Sequence, residues 1–394
     1  MSYERLLPSM TEYSRKFKRL DSLDFEIIRA ILAHGAYNIR RLSETVGAPQ
    51  QTVSYRIRRF DKNLVRFRAL INETKLGLKS YSVLASAPIG KEDASGCALT
   101  SFPLWRYLAF VDGWKLGNYV RYAVPPDKER DLIAFLNELV RRESISDYEI
   151  YATASPKYPL LDLDFYARKQ RVSMFDWQGW IGAFDSFVPE RPDAPESCKR
   201  TEFDLIDLII LRCLEVNART RQRSIVAKIA QVLGERNSKK FIPMVSRKIK
   251  RSINSQGLIS GYRVYLFPYQ ELTALLFMFC LDFSNNTNLR KFTGALKHLP
   301  YNTSYERILE KNALFVRTVV PAFESAGMQK SFRELAEKGC IKDAHMLLGE
   351  LTQGTWDNVE IHQMFKDGAW NFSFGAAVEM LEDNLRTIDK KHGR

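Results

Sequence analysis

The hydrophobic pattern opens with three short helical stretches. Leu23, Ile27, Ile28, Ile31 and Leu32 recur at helical spacing, with Ser22 placed to cap the helix and Gly35 to stop it. A second helix is predicted from Ile39 to Val46, with Leu42 and Val46 turned inward. Gly47-Ala48-Pro49 is a connection of the length a helix-turn-helix needs. A third helix starts near Gln50, and Val53, Ile57 and Phe60 form its buried stripe. Leu64 to Leu70 then reads as an extended wing. Beyond it the period changes. Strands are predicted at Lys79 to Ala87, Arg106 to Val111, Tyr119 to Val124 and Asp147 to Ala154. Helices are predicted at Glu92 to Phe102 and Asp127 to Arg142, the latter with Leu132, Phe135, Leu136 and Leu139 inward. The order β-α-β-β-α-β is a ferredoxin-like arrangement, with two helices on one sheet face and the other face free to pack on a partner.

The same pattern then returns. Val53-Ser54-Tyr55-Arg56-Ile57-Arg58-Arg59 reappears as Val245-Ser246-Arg247-Lys248-Ile249-Lys250-Arg251, and Leu23-Asp24 as Ile206-Asp207. Val120-Arg121 with Val124-Pro125 reappears as Val316-Arg317 with Val320-Pro321. Phe175, Trp180 and Phe184 reappear at identical spacing as Phe365, Trp370 and Phe374, a pattern that more often means packing than ligand chemistry. Four anchors in one order imply a duplicated unit. The second copy places helices at Phe203 to Leu214, Ser224 to Leu233, Asn288 to Leu299 and Met328 to Lys338. Its third helix carries Val245, Ile249 and Ile253 inward, and its wing runs from Gly261 to Phe267. Strands follow at Thr273 to Phe283, Thr303 to Glu310, Leu314 to Val320 and Ala344 to Leu351. Gly234 to Ile242 is an insertion in its helix-turn-helix connection.

The expected class is therefore α+β: two tandem copies of a winged helix-turn-helix followed by a ferredoxin-like βαββαβ domain. The boundaries are an N-terminal extension at 1–20, winged helix-turn-helix units at 21–72 and 201–268, and ferredoxin-like domains at 73–187 and 269–394. A Pro-rich linker covers 188–200, its prolines favouring an extended chain.

Charge changes the picture. The chain of 394 residues carries a formal net charge of +13. Arg40 to Lys75 contributes +6 and Arg219 to Arg263 contributes +11, so the remainder is slightly acidic. A positive field confined to the two helix-turn-helix units is the footprint of a phosphate binder. Double-stranded DNA is the partner this predicts. Gln50, Gln51, Thr52, Tyr55 and Arg56 occupy the N-terminal part of the first recognition helix, where base edges are read in the major groove. Arg247 and Lys248 are their counterparts. Arg58, Arg59, Arg66, Arg68, Arg221, Arg223, Lys239, Lys240, Lys250 and Arg251 are assigned to phosphates, which fix register without reading sequence. The second surface looks more like a backbone clamp than a base reader.

Other classes find less support. The most apolar run, Ala274 to Leu281, is far short of the roughly 20 residues a bilayer requires. Met1 to Leu20 lacks the apolar core of a secretory signal, so a cytoplasmic, nucleoid-associated protein is expected. The five cysteines have no CxxC spacing and an odd count, against a disulfide framework. The five histidines are dispersed, so neither a metal, a cofactor nor a catalytic constellation is predicted.

In the order of its elements the chain resembles the Lrp/AsnC (feast/famine) transcription regulators. The Leu23-Asp24 opening, the Val53 to Arg59 helix, the Gly113 turn and Val124-Pro125-Pro126-Asp127 carry the resemblance. It implies a DNA-binding regulator, with an effector such as an amino acid near Asp112, Gly113 and Asn118, and pairing of sheet domains within the chain or in a homodimer. Ordinary members carry one copy, and the second half has Glu310-Lys311 where the first has Gly113. Two rivals remain. One is an architectural DNA binder of low sequence specificity. The other is an enzyme, since siroheme decarboxylases resemble the same two-domain arrangement and use a pocket in the sheet domain.

Overall fold

The computed structural model describes residues 20–60, 65–168, 174–191, 201–235, 238–254, 256–266, 274–349 and 361–391. The N-terminal extension to residue 19, Leu64 of the first wing, Phe267 of the second, Thr273, residues 192–200 of the Pro-rich linker and Leu351 lie outside them.

Helix α1 spans Ser22–His34. Its cap is Asp21, not Ser22: Asp21 Oδ1 accepts from the Asp24 amide at 3.0 Å, and Asp24 Oδ2 accepts from the Asp21 amide at 3.1 Å. Two of the donors that a helix start leaves orphaned are thus satisfied reciprocally. Asn38 caps α2 (Ile39–Val46), and Gly47, left-handed at φ 69°, ends it. Helix α3 (Gln50–Phe60) buries Val53, Ile57 and Phe60, as its period predicts.

Strand β1 (Val65–Ile71) leads to β2 (Lys79–Ser86), α4 (Glu92–Leu99), β3 (Trp105–Gly113), β4 (Gly117–Val124), α5 (Glu129–Arg141) and β5 (Asp147–Thr153). Two short helices follow, α6 (Leu163–Arg168) and α7 (Trp177–Gly182). The next helices are α8 (Leu205–Val216), α9 (Gln222–Val232) and α10 (Ile242–Asn254), then strand β6 (Ile259–Leu266). Asp204 and Asp207 form the same capping box on α8 that Asp21 and Asp24 form on α1. On α10, Val245 and Ile249 are buried, and the Ile253 side chain lies outside the described residues. Strand β7 (Ala274–Phe283), α11 (Asn286–Ala295), β8 (Asn302–Ile308), β9 (Ala313–Pro321), α12 (Ser325–Glu337) and β10 (Ile341–Gly349) follow. A small hairpin, β11 (Phe365–Lys366) and β12 (Ala369–Trp370), precedes α13 (Phe374–Lys391).

The strand order is β3-β4-β2-β5 in one half and β10-β7-β9-β8 in the other. The sheets join where Leu347 of β10 faces Gly113 of β3 and Thr153 of β5 faces Ile308 of β8. The result is one closed eight-stranded barrel. The sheet faces expected to be free become its interior. Side chains alternate along each strand, so Leu84, Tyr119, Met278 and Phe315 fill that interior. Tyr81, Tyr122, Phe277 and Phe279 meet the helices outside.

Further contacts cross between the halves. The segments expected to be wings are extended, but β1 and β6 pair antiparallel with each other. Their burial explains this: alternate residues Val65, Phe67 and Ala69 of β1 are buried, and β1 packs on α8 while β6 packs on α1. Gly35 marks the closeness of the second contact. A Cβ there would stand 2.8 Å from the Tyr262 hydroxyl. The aromatic tails cross as well. Trp177 and Trp180 lie in the core of the second sheet's helices, with Trp180 Nε1 donating to Ala295 O at 3.1 Å. Trp370 Nε1 donates to Leu76 O at 3.0 Å, and α13 packs on α4 and α5. The described start of the linker follows α11, the Glu190 amide donating to Arg290 O at 2.9 Å.

Candidate nucleic-acid interface

Helix α3 is held by its charged side. Arg56 Nη1 donates to Asp21 Oδ2 at 2.6 Å and to Asp24 Oδ2 at 3.0 Å, and Arg59 Nη2 donates to Asp24 Oδ2 at 2.7 Å. Asp24 is fully buried. Burial pushes its carboxyl above the ordinary range, against the pull of the Asp21 amide and Arg56. The lock repeats on the second unit, where Lys248 Nζ donates to Asp204 Oδ2 at 2.7 Å and to Asp207 Oδ2 at 2.9 Å.

This geometry redistributes the predicted roles. Arg56 and Lys248, expected to read bases, and Arg59, expected to hold a phosphate, are the arms that fix each third helix to its first. Their counterparts on the other face are open: Gln50, Gln51 and Arg58 are exposed, Thr52 is half-buried, and Tyr55 is 62% exposed. An exposed tyrosine beside two glutamines is an apolar and hydrogen-bonding surface. Arg66 is exposed on β1. On the second unit Arg221, Arg223, Arg247, Lys250 and Arg251 are exposed, Lys240 pairs with Glu235 at 2.7 Å, and the Lys239 side chain lies outside the described residues. The units also dock on each other. Tyr37 Oη donates to Thr220 O at 2.6 Å, and Arg219 Nη1 donates to Ile57 O at 2.7 Å, in the last turn of α3, where a cation complements the helix dipole.

The residues expected to bind an effector lie on the β3–β4 hairpin. Asp112 is exposed, Gly113 faces Leu347 across the barrel seam, and Asn118 is buried with its amide donating to Glu92 O at 3.3 Å. A cavity of about 360 Å³ lies elsewhere, between the β1–β6 pair and one mouth of the barrel. Arg68, expected at DNA phosphates, lines it together with Arg106, Arg121, Arg263 and Arg317. Sequence reasoning missed this site. The signal was present, because Arg121 and Arg317 are one of the repeated anchors, but nothing in the sequence shows that the two strands face one interior.

Beside this cavity Glu73 anchors two of the arginines. Its carboxylate accepts from Arg121 Nη1 at 2.7 Å, from Arg106 Nε at 3.1 Å and from Ser80 Oγ at 2.9 Å. Burial alone would raise this carboxyl; the two guanidiniums outweigh it and hold it at about 2, below the usual 4.5. An acid depressed on folding stabilises the fold above its unfolded pKa and loses that contribution as pH falls through the folded one. Acidification from 4.5 toward 2 is therefore expected to remove roughly 3 kcal/mol through Glu73, at about 1.4 kcal/mol per pH unit. Urea unfolding across that range should show a shallower pH dependence in Glu73→Gln than in the unaltered chain.

Residues 20–63 match the family model described as winged helix-turn-helix DNA-binding. Among curated proteins, none matches the chain. Among solved structures, the siroheme decarboxylase NirDL is similar over 91% of this chain and 99% of its own, at 11% identity and a TM-score of 0.52. The same enzyme in complex with an iron-uroporphyrin III analogue gives a TM-score of 0.50, at 11% identity over 91% and 98%. An AsnC family transcriptional regulator from Agrobacterium tumefaciens is similar over 37% of this chain and 99% of its own, at 20% identity and a TM-score of 0.28. At these identities the likeness to NirDL is one of fold. No helix among the described residues is long and apolar enough to cross a membrane, and no cluster of three or more metal-ligating side chains occurs among them.

Proposed function

We propose that this protein is a sequence-specific DNA-binding transcription regulator, built as a duplicated winged helix-turn-helix and ferredoxin-like unit that acts as a single-chain pseudo-dimer. One observation carries the reading. In the segment that matches the winged helix-turn-helix family, a third helix is locked by ion pairs on one side and offers Gln50, Gln51, Tyr55 and Arg58 to solvent on the other. The duplication is supported by the paired capping boxes, the paired locks and the equivalent strand orders. The β1–β6 pairing and the crossed aromatic tails favour pairing within the chain over pairing between chains. The two heads differ, since Gln51, Thr52 and Tyr55 have Pro243, Met244 and Arg247 as their counterparts. One chain should therefore prefer a site without palindromic symmetry, because symmetric sites mirror identical heads.

Selection from random-sequence duplexes tests this. An enriched, asymmetric motif is expected, and Gln51→Ala with Tyr55→Ala should weaken binding to it by about 5- to 150-fold, at about 1–3 kcal/mol for a base contact. Symmetric half-sites would remove the single-chain reading. Tight binding without enrichment would favour the architectural role. A chain that binds no DNA and carries a tetrapyrrole absorbance would favour the enzyme, for which the shared fold with NirDL is the supporting observation.

A further inference from the structure

The cavity under the β1–β6 pair is charged in a way that the DNA-binding reading does not use. Among the described residues, six cationic side chains line it, against two carboxylates, Glu73 and Glu215. Glu73 neutralises Arg121, and Glu215 pairs with Arg106. Arg317 pairs with Glu306 below, yet its Nε has no hydrogen-bond partner among the described residues, although the side chain is 8% exposed. Arg68 and Arg263 then sit directly opposite each other across the antiparallel β1–β6 ladder. Like charges at facing positions of such a ladder destabilise it. Arg263 stacks on Tyr265 and Tyr158, at 3.7 and 4.1 Å from the ring centres. Burial, with Arg68 and Arg317 nearby, lowers its guanidinium to about 9.

The symmetry is informative as well. Arg121 and Arg317 come from equivalent strands β4 and β9, and Arg68 and Arg263 from the paired strands β1 and β6. Four guanidiniums from two halves thus surround one space. The geometry points to a binding site for a compact, multiply charged anion, either a di- or tricarboxylate or a phosphate, held between the arginines of the β1–β6 pair and those of the barrel mouth. Guanidiniums suit both because their planar forks match carboxylate and phosphate oxygens. A volume of about 360 Å³ leaves ample room for such an anion.

Anion binding here goes beyond the regulator reading and does not need DNA. If that reading holds, the cavity replaces Asp112, Gly113 and Asn118 as the effector site, because its roof is the strand pair that ties the two helix-turn-helix units together. The test is isothermal titration of the full chain, without DNA, with citrate and separately with inorganic phosphate, at constant ionic strength. Saturable one-site binding of one of them is expected, and which one binds separates the carboxylate from the phosphate source. Arg263→Gln should weaken it at least tenfold. Arg68→Gln should do the same, and it carries the test if the first variant fails to fold. Absence of saturable binding by both anions overturns the inference, as does binding that neither variant weakens. Because DNA is absent, a negative result here leaves the regulator reading untouched, and a failure to bind DNA leaves this one untouched.

Discussion

Replacing Glu306 by alanine is expected to destabilise the protein by about 3–5 kcal/mol, the usual cost of leaving one member of a buried ion pair without its partner. Glu306 is fully buried on β8 inside the barrel. Its Oε2 accepts from Ser82 Oγ at 2.6 Å and from Tyr119 Oη at 3.0 Å, both from the first half, and its Oε1 pairs with Arg317 of the second. One carboxylate therefore satisfies donors from both halves at the centre of the barrel. The loss should appear as a lower urea midpoint with an unchanged slope. Glu306→Gln keeps an acceptor for the hydroxyls and should recover part of it. Glu306→Leu combined with Arg317→Met removes both charges and should be less damaging than Glu306→Ala alone, since apolar replacement of a buried pair is often neutral. The two hydroxyls can then bond each other, as Ser82 Oγ and Tyr119 Oη already stand 3.0 Å apart. A cost below about 1 kcal/mol for the alanine variant would mean that Arg317 reaches water, and the network would not be a structural keystone.

The second large effect concerns salt. Arg58 and Arg66 of the first unit and Arg221, Arg223, Arg247, Lys250 and Arg251 of the second are exposed. A surface that neutralises roughly 6–10 phosphates loses about 10³–10⁵ in affinity between 50 and 200 mM salt, through release of counterions. DNA affinity measured by fluorescence anisotropy across that range should fall accordingly. Arg247→Ala with Lys250→Ala should reduce the slope by about two, one for each phosphate no longer neutralised. Lys248→Ala should behave differently, although it lies between them in sequence. Its ammonium is committed to Asp204 and Asp207, so its removal should weaken the docking of α10 on α8 and leave the salt slope nearly unchanged. A slope near zero in the unaltered chain would show that these side chains do not meet phosphates.

Lys248 and Lys250, two residues apart, differ only in what the fold brings near them. Chemistry that depends on near neighbours was legible in the sequence. The period of Val53, Ile57 and Phe60 placed the buried stripe of α3, and the alternation of Lys79 to Ala87 placed β2 to within a residue. Gly35 and Gly47 end their helices where they should, because a helix stop needs only its own backbone. The cap was missed by one residue, from Ser22 to Asp21. Both side chains can cap, and Asp21 does so because Asp24, three residues on, completes a capping box with it.

Long-range pairing is a property of the folded chain. The pattern of residues is enough for the winged helix-turn-helix at residues 20–63, for the order of helices and strands, and for the likeness of Val120-Arg121 to Val316-Arg317. It is not enough to show that each expected wing is buried against the other unit. Period two is the same for a strand that pairs with a neighbour and for one that lies on DNA. Nor does it tell a paired cation from an open one: Arg56 and Arg58 are close in sequence, and only the position of Asp24 across the helix interface separates a lock from a surface charge. The cavity belongs to the same class of fact. Its arginines come from β1, β3, β4, β6 and β9, scattered along the chain from Arg68 to Arg317. They share one space because the free faces of two sheets closed into a barrel, burying apolar surface that neither sheet could hide alone.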